Sequence, residues 1–185
     1  MAQIFISHSQ YDEDIRKYFD EVFAGTTVRA VRLEFERYKN PPSKFVLKQI
    51  EKSDAIFVLL GPKITLKPAT QSWVGFETGV AAGMSEPCPI WVFEPTQYAP
   101  VPFPVPFLHH YVLYDMGSQE DREYIKSIVA GHRFASIIPV TKSILAPRGR
   151  RVTCPHEGCG MSYNLHTPID EIHCPTCRQK ITFGR

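Results

Sequence analysis

The sequence predicts an α/β fold with a five-stranded parallel sheet, helices on both of its faces, and a small metal-binding unit at the end. Five strand-like segments alternate with helix-like segments, several of the strands are apolar throughout, and four cysteines lie near the end of the chain. Alternation with fully apolar strands is typical of parallel sheets that are buried on both faces. In such sheets, binding sites lie beyond the carboxyl ends of the strands.

Size and charge exclude several classes of protein. The chain has 185 residues, enough for one globular unit and one small appendage. With a formal net charge of +2, the chain as a whole is not a polycation for nucleic acid or anionic membranes. The longest apolar run, residues 55–60, is far shorter than the roughly 20 residues of a membrane helix. No signal-peptide pattern begins the sequence, so we expect a cytoplasmic protein without membrane contact.

The first two predicted strands frame a one-faced helix. A strand is predicted over residues 3–7, and Ser9 or Asp12 is the expected N-cap of the helix after it. The apolar residues of this helix recur at intervals of three and four positions, which places them on one face. A second strand follows over about residues 27–35.

Prolines and capping residues delimit the elements that follow. Pro41 and Pro42 end regular structure after the second strand, and Ser43 caps a helix to about residue 52. A third strand covers residues 55–60.

The remaining predicted elements complete the alternation. A helix over residues 72–84 begins at a serine N-cap, and strands follow at residues 89–93 and 110–114. Ser118 opens a capping box for a final helix that stops at Gly131.

Two stretches interrupt this pattern. Five prolines between the fourth and fifth strands exclude a long helix; we interpret them as a stiff extended connector, with a ligand for a proline-reading module as the alternative. These prolines are Pro95, Pro100, Pro102, Pro104 and Pro106. Residues 134–151 are weakly patterned and basic, so they are interpreted as a linker between a domain at residues 1–133 and a second unit at residues 152–185.

Glu77 is the residue that points most directly to chemistry. At 100° per residue it falls near the middle of the apolar stripe of its helix. An unpaired carboxylate is costly to bury, so it is normally paired or protonated. Glu77 therefore either caps a backbone group or pairs with an arginine, or it lines a cleft and takes part in a reaction. The stripe consists of Trp73, Phe76, Val80, Ala81 and Met84.

Three glycines lie on another side of the same helix. Gly75, Gly79 and Gly83 recur every four residues, and each costs about 0.5–1 kcal/mol relative to alanine inside a helix. Their spacing predicts that another backbone approaches closely, either within the fold or from a partner helix.

Several of these motifs resemble a known family. The sequence FISHS at residues 5–9, together with Asp12, resembles the opening box of TIR (Toll/interleukin-1 receptor) domains. Residues 53–60 resemble the third strand of these domains. The pair Trp73-x3-Glu77 is similar to the Trp-x-x-x-Glu signature of the NAD-cleaving members.

The resemblance covers about residues 1–132 and implies a flavodoxin-like sheet that cleaves the bond between nicotinamide and ribose in NAD. In that family the helix glutamate contacts the ribose hydroxyls and stabilises the developing oxocarbenium-like charge. This catalytic role falls to Glu77, and Trp73 would form a wall of the ribose pocket. By position, the residues that would surround the nucleotide are His8, Ser9, Gln10, Glu34, Phe45 and Tyr98.

The same positions also fit plainer roles. A loop histidine such as His8 is more often a hydrogen-bonded residue than a ligand contact. Ser9 is also consistent with a helix cap, and Phe45 with a core residue.

Positive charge for the phosphates of NAD has two possible sources. Relatives often carry cations after the first strand, where this chain has neutral Ser9 and Gln10. Arg37 and Lys39 in the loop after the second strand would supply the charge, either within one chain or to a neighbour. Relatives often complete the site from that loop of an adjacent molecule, and such head-to-tail contacts propagate into filaments.

The four C-terminal cysteines predict a zinc site. In a chain without an export signal, the spacing Cys154-x4-Cys159-x14-Cys174-x2-Cys177 is more typical of zinc than of disulfides. A closed four-cysteine site is structural and not catalytic. Nearby histidines are alternative ligands: His156, His166 and His173.

The predicted zinc unit has the pattern of a zinc ribbon, with a hairpin around Thr167-Pro168. Its role is open between weak nucleic-acid sensing through the basic linker, docking of a protein or a second copy, and stabilisation alone. The linker's cations are Lys142, Arg148, Arg150 and Arg151.

The leading hypothesis is a TIR-type NAD glycohydrolase, in a defence response that depletes or converts NAD, with a zinc ribbon that regulates or targets it. The product is linear ADP-ribose, a cyclic form or a base-exchanged dinucleotide, depending on which acceptor reaches the ribose carbon. Two alternatives remain: a non-catalytic TIR scaffold that signals by self-assembly, and a nucleoside-processing transferase that prefers a deoxynucleoside.

Overall fold

A computed structural model describes residues 1–33, 43–86, 88–136 and 149–183, and the fold is given for these ranges. The strands are β1 (Gln3–His8), β2 (Arg29–Arg32), β3 (Ala55–Leu59), β4 (Ile90–Pro95), β5 (His110–Tyr114), β6 (Arg150–Thr153), β7 (Ser162–Leu165), β8 (Glu171–His173) and β9 (Lys180–Thr182). The helices are α1 (Glu13–Phe23), α2 (Ser43–Glu51), α3 (Pro68–Ala82) and α4 (Gln119–Ala130), and a short 3₁₀ helix covers Arg133–Ala135.

The main sheet is mostly parallel. Within the described ranges it has seven strands in the order β2-β1-β3-β4-β5-β7-β6, and β8 and β9 form a separate pair. Strands β1 to β5 are parallel to their neighbours, and their order, 2-1-3-4-5, is that of flavodoxin-like doubly wound sheets. The predicted α/β class with a parallel sheet is confirmed, but in the described ranges the sheet has seven strands and not the predicted five, because β7 and β6 add to the edge at β5.

Helices cover both faces of this sheet. On one face α1 packs against α4, above a core that includes Phe19, Phe57 and Tyr114. On the other face α2 packs against α3, and the core there continues from Phe5 without a break to Tyr163 near the cysteines. Among the helices in the described ranges, none is both long and apolar enough to cross a membrane.

Helix α3 begins earlier than the sequence pattern predicts. It starts at Pro68, and Ser72, the predicted N-cap, instead donates a side-chain hydrogen bond to the Pro68 carbonyl. Proline suits the first turn of a helix because it lacks the N–H that would be unsatisfied there. By contrast, Ser118 caps α4 as predicted and accepts a hydrogen bond from the Asp121 amide.

The cysteine-containing unit is joined to the sheet and not only tethered to it. β7 pairs in parallel with β5, and β6 pairs antiparallel with β7, so one sheet crosses the boundary drawn in the sequence. Most of the predicted linker, residues 137–148, lies outside the described residues. The segment before it is packed, because Phe134 is fully buried.

The predicted hairpin around Thr167-Pro168 is wrong. β7 and β8, which would form its arms, pair with β6 and β9 instead. The reason is that Thr167 is bound to the main sheet: its hydroxyl accepts from the Leu113 amide and donates to the Leu113 carbonyl. This contact extends the path of β7 along β5 before the chain leaves for β8.

Candidate functional site

The apolar stripe predicted for α3 is only partly right, because Phe76 is exposed. Glu77 does lie on the buried face of this helix, as predicted. Its side chain is only 3% exposed and accepts a hydrogen bond of 2.5 Å from the hydroxyl of Ser7, near the carboxyl end of β1. Ser7 is itself buried. The two motifs FISHS and Trp-x3-Glu therefore meet in a single contact between a strand and a helix.

Burial controls the protonation of Glu77. Desolvation raises the pKa of its carboxyl from 4.5 to about 8, and the opposing effect of the Ser7 hydrogen bond is smaller. At neutral pH this carboxyl is therefore mostly neutral. It is a proton-bearing acid that becomes a charged group only above its raised pKa.

Aromatic side chains extend from Glu77 along α3. Trp73 is partly buried one turn before the carboxyl and contacts Phe76 edge-on, with ring centroids 5.4 Å apart and planes at 85°. Phe76 is 36% exposed. The pair therefore forms a partly exposed aromatic surface on α3.

His8 lies on the opposite face of β1. Side chains alternate along a strand, so His8 shares a face with Ile4 and Ile6, whereas Ser7 shares a face with Phe5. Burial, Arg32 and Arg16 lower the pKa of His8 to about 4, so its ring is neutral. The structure does not bring His8 to Glu77.

The residues after β1 make local contacts. The Ser9 hydroxyl, which is fully buried, accepts from the Tyr11 amide at 3.3 Å, a contact of a turn-forming serine. The Gln10 carbonyl accepts from the Arg16 guanidinium at 3.0 Å. Asp12 stands at the N-cap position of α1 but its side chain accepts from the Lys63 amide, not from the helix.

The other predicted nucleotide contacts are dispersed. Phe45 on α2 is 40% exposed and so is not a core residue. Tyr98, after β4, donates its hydroxyl to Asp14 on α1, which raises the pKa of Tyr98 to about 12. The remaining predicted contacts lie outside the described residues: Glu34, Arg37 and Lys39.

The four predicted cysteines form one cluster. Their sulfur atoms all lie within 4.8 Å of one another, with Cys154 and Cys177 3.7 Å apart and Cys159 and Cys174 3.9 Å apart. A tetrahedral zinc site with zinc–sulfur distances near 2.3 Å separates its sulfurs by about 3.8 Å. The donor set and its spacing therefore fit a zinc ion.

The backbone around the cysteines has the turns that such a site requires. Gly158 and Gly160, on either side of Cys159, have φ angles of 80° and 56°, a region that glycine enters without strain. Arg178, directly after Cys177, has a φ of 60°, and its amide donates to the Cys174 carbonyl at 2.8 Å. Two tight turns thus present the four thiols.

Two of the alternative histidine ligands are engaged elsewhere. His156 bonds through Nε2 to the Lys180 carbonyl at 2.9 Å, and His166 contacts His110. This supports cysteine as the donor at all four positions.

Sequence reasoning missed a buried ion pair between β4 and the cysteine turn. Glu94 is 3% exposed, and its carboxylate accepts hydrogen bonds from both terminal nitrogens of the Arg178 guanidinium, at 2.6 and 3.1 Å. It also accepts from the Tyr111 hydroxyl at 2.6 Å and from the Val101 amide at 2.7 Å. The signal was present, because Glu94 is the one charged residue in the sequence of β4.

A histidine relay was also missed. The Ser136 carbonyl can only accept, so His110 Nε2 donates to it at 2.7 Å, which leaves His110 Nδ1 to accept from His166 Nε2 at 2.9 Å. Tyr124 then donates to His166 Nδ1 at 2.6 Å. Burial lowers the pKa of His110 to about 3 and that of His166 to about 4, so both rings are neutral and the chain of donors is fixed. The relay ties α4 to β5 and to the end of β7.

Comparisons with known proteins do not narrow the choice of family. No protein-family model matches the chain, and a search of curated proteins also gives no match.

Proposed function

We propose that this chain is a TIR-type NAD glycohydrolase in which Glu77 is the catalytic carboxylate. The observation that supports it best is the Ser7–Glu77 hydrogen bond, because it joins the two motifs on which the resemblance rests. The sheet order and the position of Glu77 beside β1, near the carboxyl edge of the sheet, are consistent with such a site.

In the proposed reaction the bond between the ribose carbon and the nicotinamide nitrogen breaks, and the bonding electrons leave with nicotinamide. The ionised Glu77 carboxylate accepts hydrogen bonds from the ribose hydroxyls and stabilises the positive charge on the sugar. Water, the adenine of the same NAD or a free pyridine base then attacks the ribose carbon. Because Glu77 is only 3% exposed, NAD binding must move side chains around it before the ribose makes contact.

A non-catalytic scaffold is the second candidate function, and the outer face of α3 favours it. Glu77, which is buried, is the one charged residue of this helix, so the exposed side carries no charge. A Cβ added at Gly75 or Gly79 would meet nothing within 4 Å among the described residues. Close packing within the described fold therefore does not account for these glycines, and a contact with a second copy would.

The same incubation distinguishes these functions and the nucleoside transferase. Purified protein is incubated with NAD, with and without free pyridine bases, at low and high protein concentration and with a crowding agent. Release of nicotinamide, with ADP-ribose, a cyclic product or an exchanged dinucleotide on chromatography, supports the glycohydrolase. Complete absence of turnover under all these conditions favours the scaffold, and turnover of a deoxynucleoside but not of NAD favours the transferase.

Activity should depend on pH through Glu77. We expect kcat/KM for NAD to rise about tenfold per pH unit until it levels off near pH 8, because the carboxyl must lose its proton to stabilise a cation. In the wild type the hydrogen bond from Ser7 lowers the pKa of Glu77. Ser7→Ala removes this bond, so the pKa of Glu77 and the rise in activity should both move to higher pH. Ser7→Thr keeps a hydroxyl and is the matched control. A profile that is flat between about pH 6 and pH 9 would contradict the role of Glu77.

We propose further that the cysteine cluster holds one structural zinc ion in a zinc-ribbon unit. Cys154, Cys159, Cys174 and Cys177 would be its ligands, as thiolates. Four protein ligands leave no open coordination position, so the zinc would stabilise the fold and take no part in cleaving NAD. Native mass spectrometry of the reduced protein tests this by showing one bound zinc ion per chain.

A further inference from the structure

We infer that zinc occupancy of the cysteine cluster controls the order of the proline-rich segment, residues 100–106, and of the carboxyl end of β4. The coupling passes through the cysteine turn at residues 174–178. The inference rests on the proposed zinc site and is independent of the proposed NAD cleavage.

The cysteine turn contacts the proline-rich segment directly. The Pro175 carbonyl, next to the cluster residue Cys174, accepts from the amide of Val105 at 2.9 Å. Val105 is fully buried. One end of the segment is therefore fixed to a residue whose neighbour is a predicted zinc ligand.

The other end of the segment is held through an ion pair. Arg178, next to Cys177, binds the Glu94 carboxylate with both arms, and the same carboxylate accepts from the Val101 amide at 2.7 Å. The side chains of Arg178 and Glu94 are only 14% and 4% exposed. A carboxylate this deeply buried stays charged and in place only with a cationic partner. If Arg178 leaves, the hydrogen bond from the Val101 amide to Glu94 is therefore weakened as well.

Zinc is what would keep the cysteine turn in this form. Arg178 has a φ of 60°, a conformation that a residue with a side chain adopts when its surroundings impose it. Metal binding and folding are coupled in small units of this kind. Without zinc the turn relaxes, Arg178 and Pro175 leave their partners, and both ends of the proline-rich segment are released.

The region that would be released without zinc follows the carboxyl end of β4, and ligand-binding sites of parallel sheets lie at such strand ends. Glu94 is near the carboxyl end of β4, and the loop between Glu94 and Val101 carries Tyr98, a predicted nucleotide contact. A cavity of about 230 Å³ borders this loop and is lined on its other side by residues of the zinc unit, including Ile172 and His173. Zinc occupancy would therefore control the shape of this cavity and of the loop after β4.

Amide hydrogen exchange by NMR tests the inference on the full chain. Wild-type protein is compared before and after zinc is stripped by a chelator under reducing conditions, and again after zinc chloride is restored. We expect exchange of the Val101 and Val105 amides to become at least about tenfold faster without zinc and to return when zinc is added. The amides of Phe5 and Ile56, in the centre of the sheet, should stay protected.

Zinc affinity gives a second readout, because coupling between two sites acts in both directions. Glu94→Gln removes the charge that binds Arg178 but touches no cysteine, and we expect it to weaken zinc binding several-fold in competition with a chromophoric chelator. The matched control is Glu171→Gln, which breaks an exposed ion pair with Lys180 in the same unit and should leave zinc affinity unchanged.

The outcomes separate the coupling from the zinc site itself. A reduced wild-type chain that binds no zinc refutes both. A zinc-binding chain in which Val101 and Val105 keep their protection after stripping refutes the coupling alone. Equal loss of protection at Phe5 and Ile56 also refutes it, since the effect would then be global unfolding.

Discussion

Glu77→Gln is expected to lower the rate of the proposed NAD cleavage by about 10³-fold and to leave the fold intact. Glutamine has nearly the same shape as glutamate and its amide oxygen still accepts the hydrogen bond from Ser7, but it cannot carry the negative charge. Because the pKa of Glu77 is raised to about 8, the native carboxyl is already mostly neutral at pH 7. The free energy of unfolding should therefore change by less than about 1 kcal/mol. Nicotinamide release and thermal unfolding of the same preparation measure the two effects.

Two further variants make this result specific. Glu86→Gln changes an exposed carboxylate just beyond the end of α3 and should keep wild-type activity. Glu77→Ala should also abolish cleavage, but it leaves the buried Ser7 hydroxyl without its partner and so costs stability as well. A Glu77→Gln variant that consumes NAD at the wild-type rate would contradict the proposed role of Glu77.

The parts of the molecule that could be predicted are those that local patterns encode. A periodicity of 100° per residue places Glu77 on the inner face of α3, and its burial confirms this, although Phe76 of the same predicted stripe is exposed. The spacing of the cysteines predicts their convergence, and their sulfurs do lie within 4.8 Å of one another. The periodicity around Glu77 is contained within one helix. The cysteines are predictable because paired cysteines at such spacing have few roles other than metal binding or disulfide formation.

What could not be predicted depends on which distant segments meet. The sequence of β4 is buried on both faces, so it shows no alternation that would reveal where Glu94 points or that Arg178 is its partner. Likewise, His166 fits a metal ligand by spacing, and only the pairing of β7 with β5 brings it to His110. Side-chain partners across the sheet follow from strand register, which no short pattern contains.

The pairing of the cysteine-containing unit with the main sheet has an energetic consequence that cysteine spacing alone does not predict. At about 35 residues, the unit is too small to fold without a metal or a partner. Because β7 pairs with β5 and Arg178 neutralises the buried Glu94, loss of the unit also removes contacts from the main sheet. A structural metal in this chain should therefore stabilise more than its own turns.

Cys174→Ser is accordingly expected to abolish zinc binding and to lower the melting temperature by about 10 °C. Cys174 is fully buried within the cluster, and three thiolates with a hydroxyl make a poor zinc site. An uncompensated buried charge such as Glu94 costs about 3–5 kcal/mol, and each kcal/mol lowers the melting temperature of a chain this size by about 2–4 °C. Zinc content by elemental analysis and melting by circular dichroism measure the two effects.

Cys88→Ser is the matched control for this variant. Cys88 is also buried, but it lies outside the cluster, within the hydrophobic core, and its thiol donates a hydrogen bond to the Ser53 carbonyl at 3.8 Å. The variant should keep one zinc per chain and melt within a few degrees of the wild type, since serine retains a donor for that carbonyl. Normal zinc binding by Cys174→Ser, together with a melting temperature equal to that of Cys88→Ser, would contradict the prediction. The four cysteines would then not form a zinc site that stabilises the sheet edge at β5 and β7.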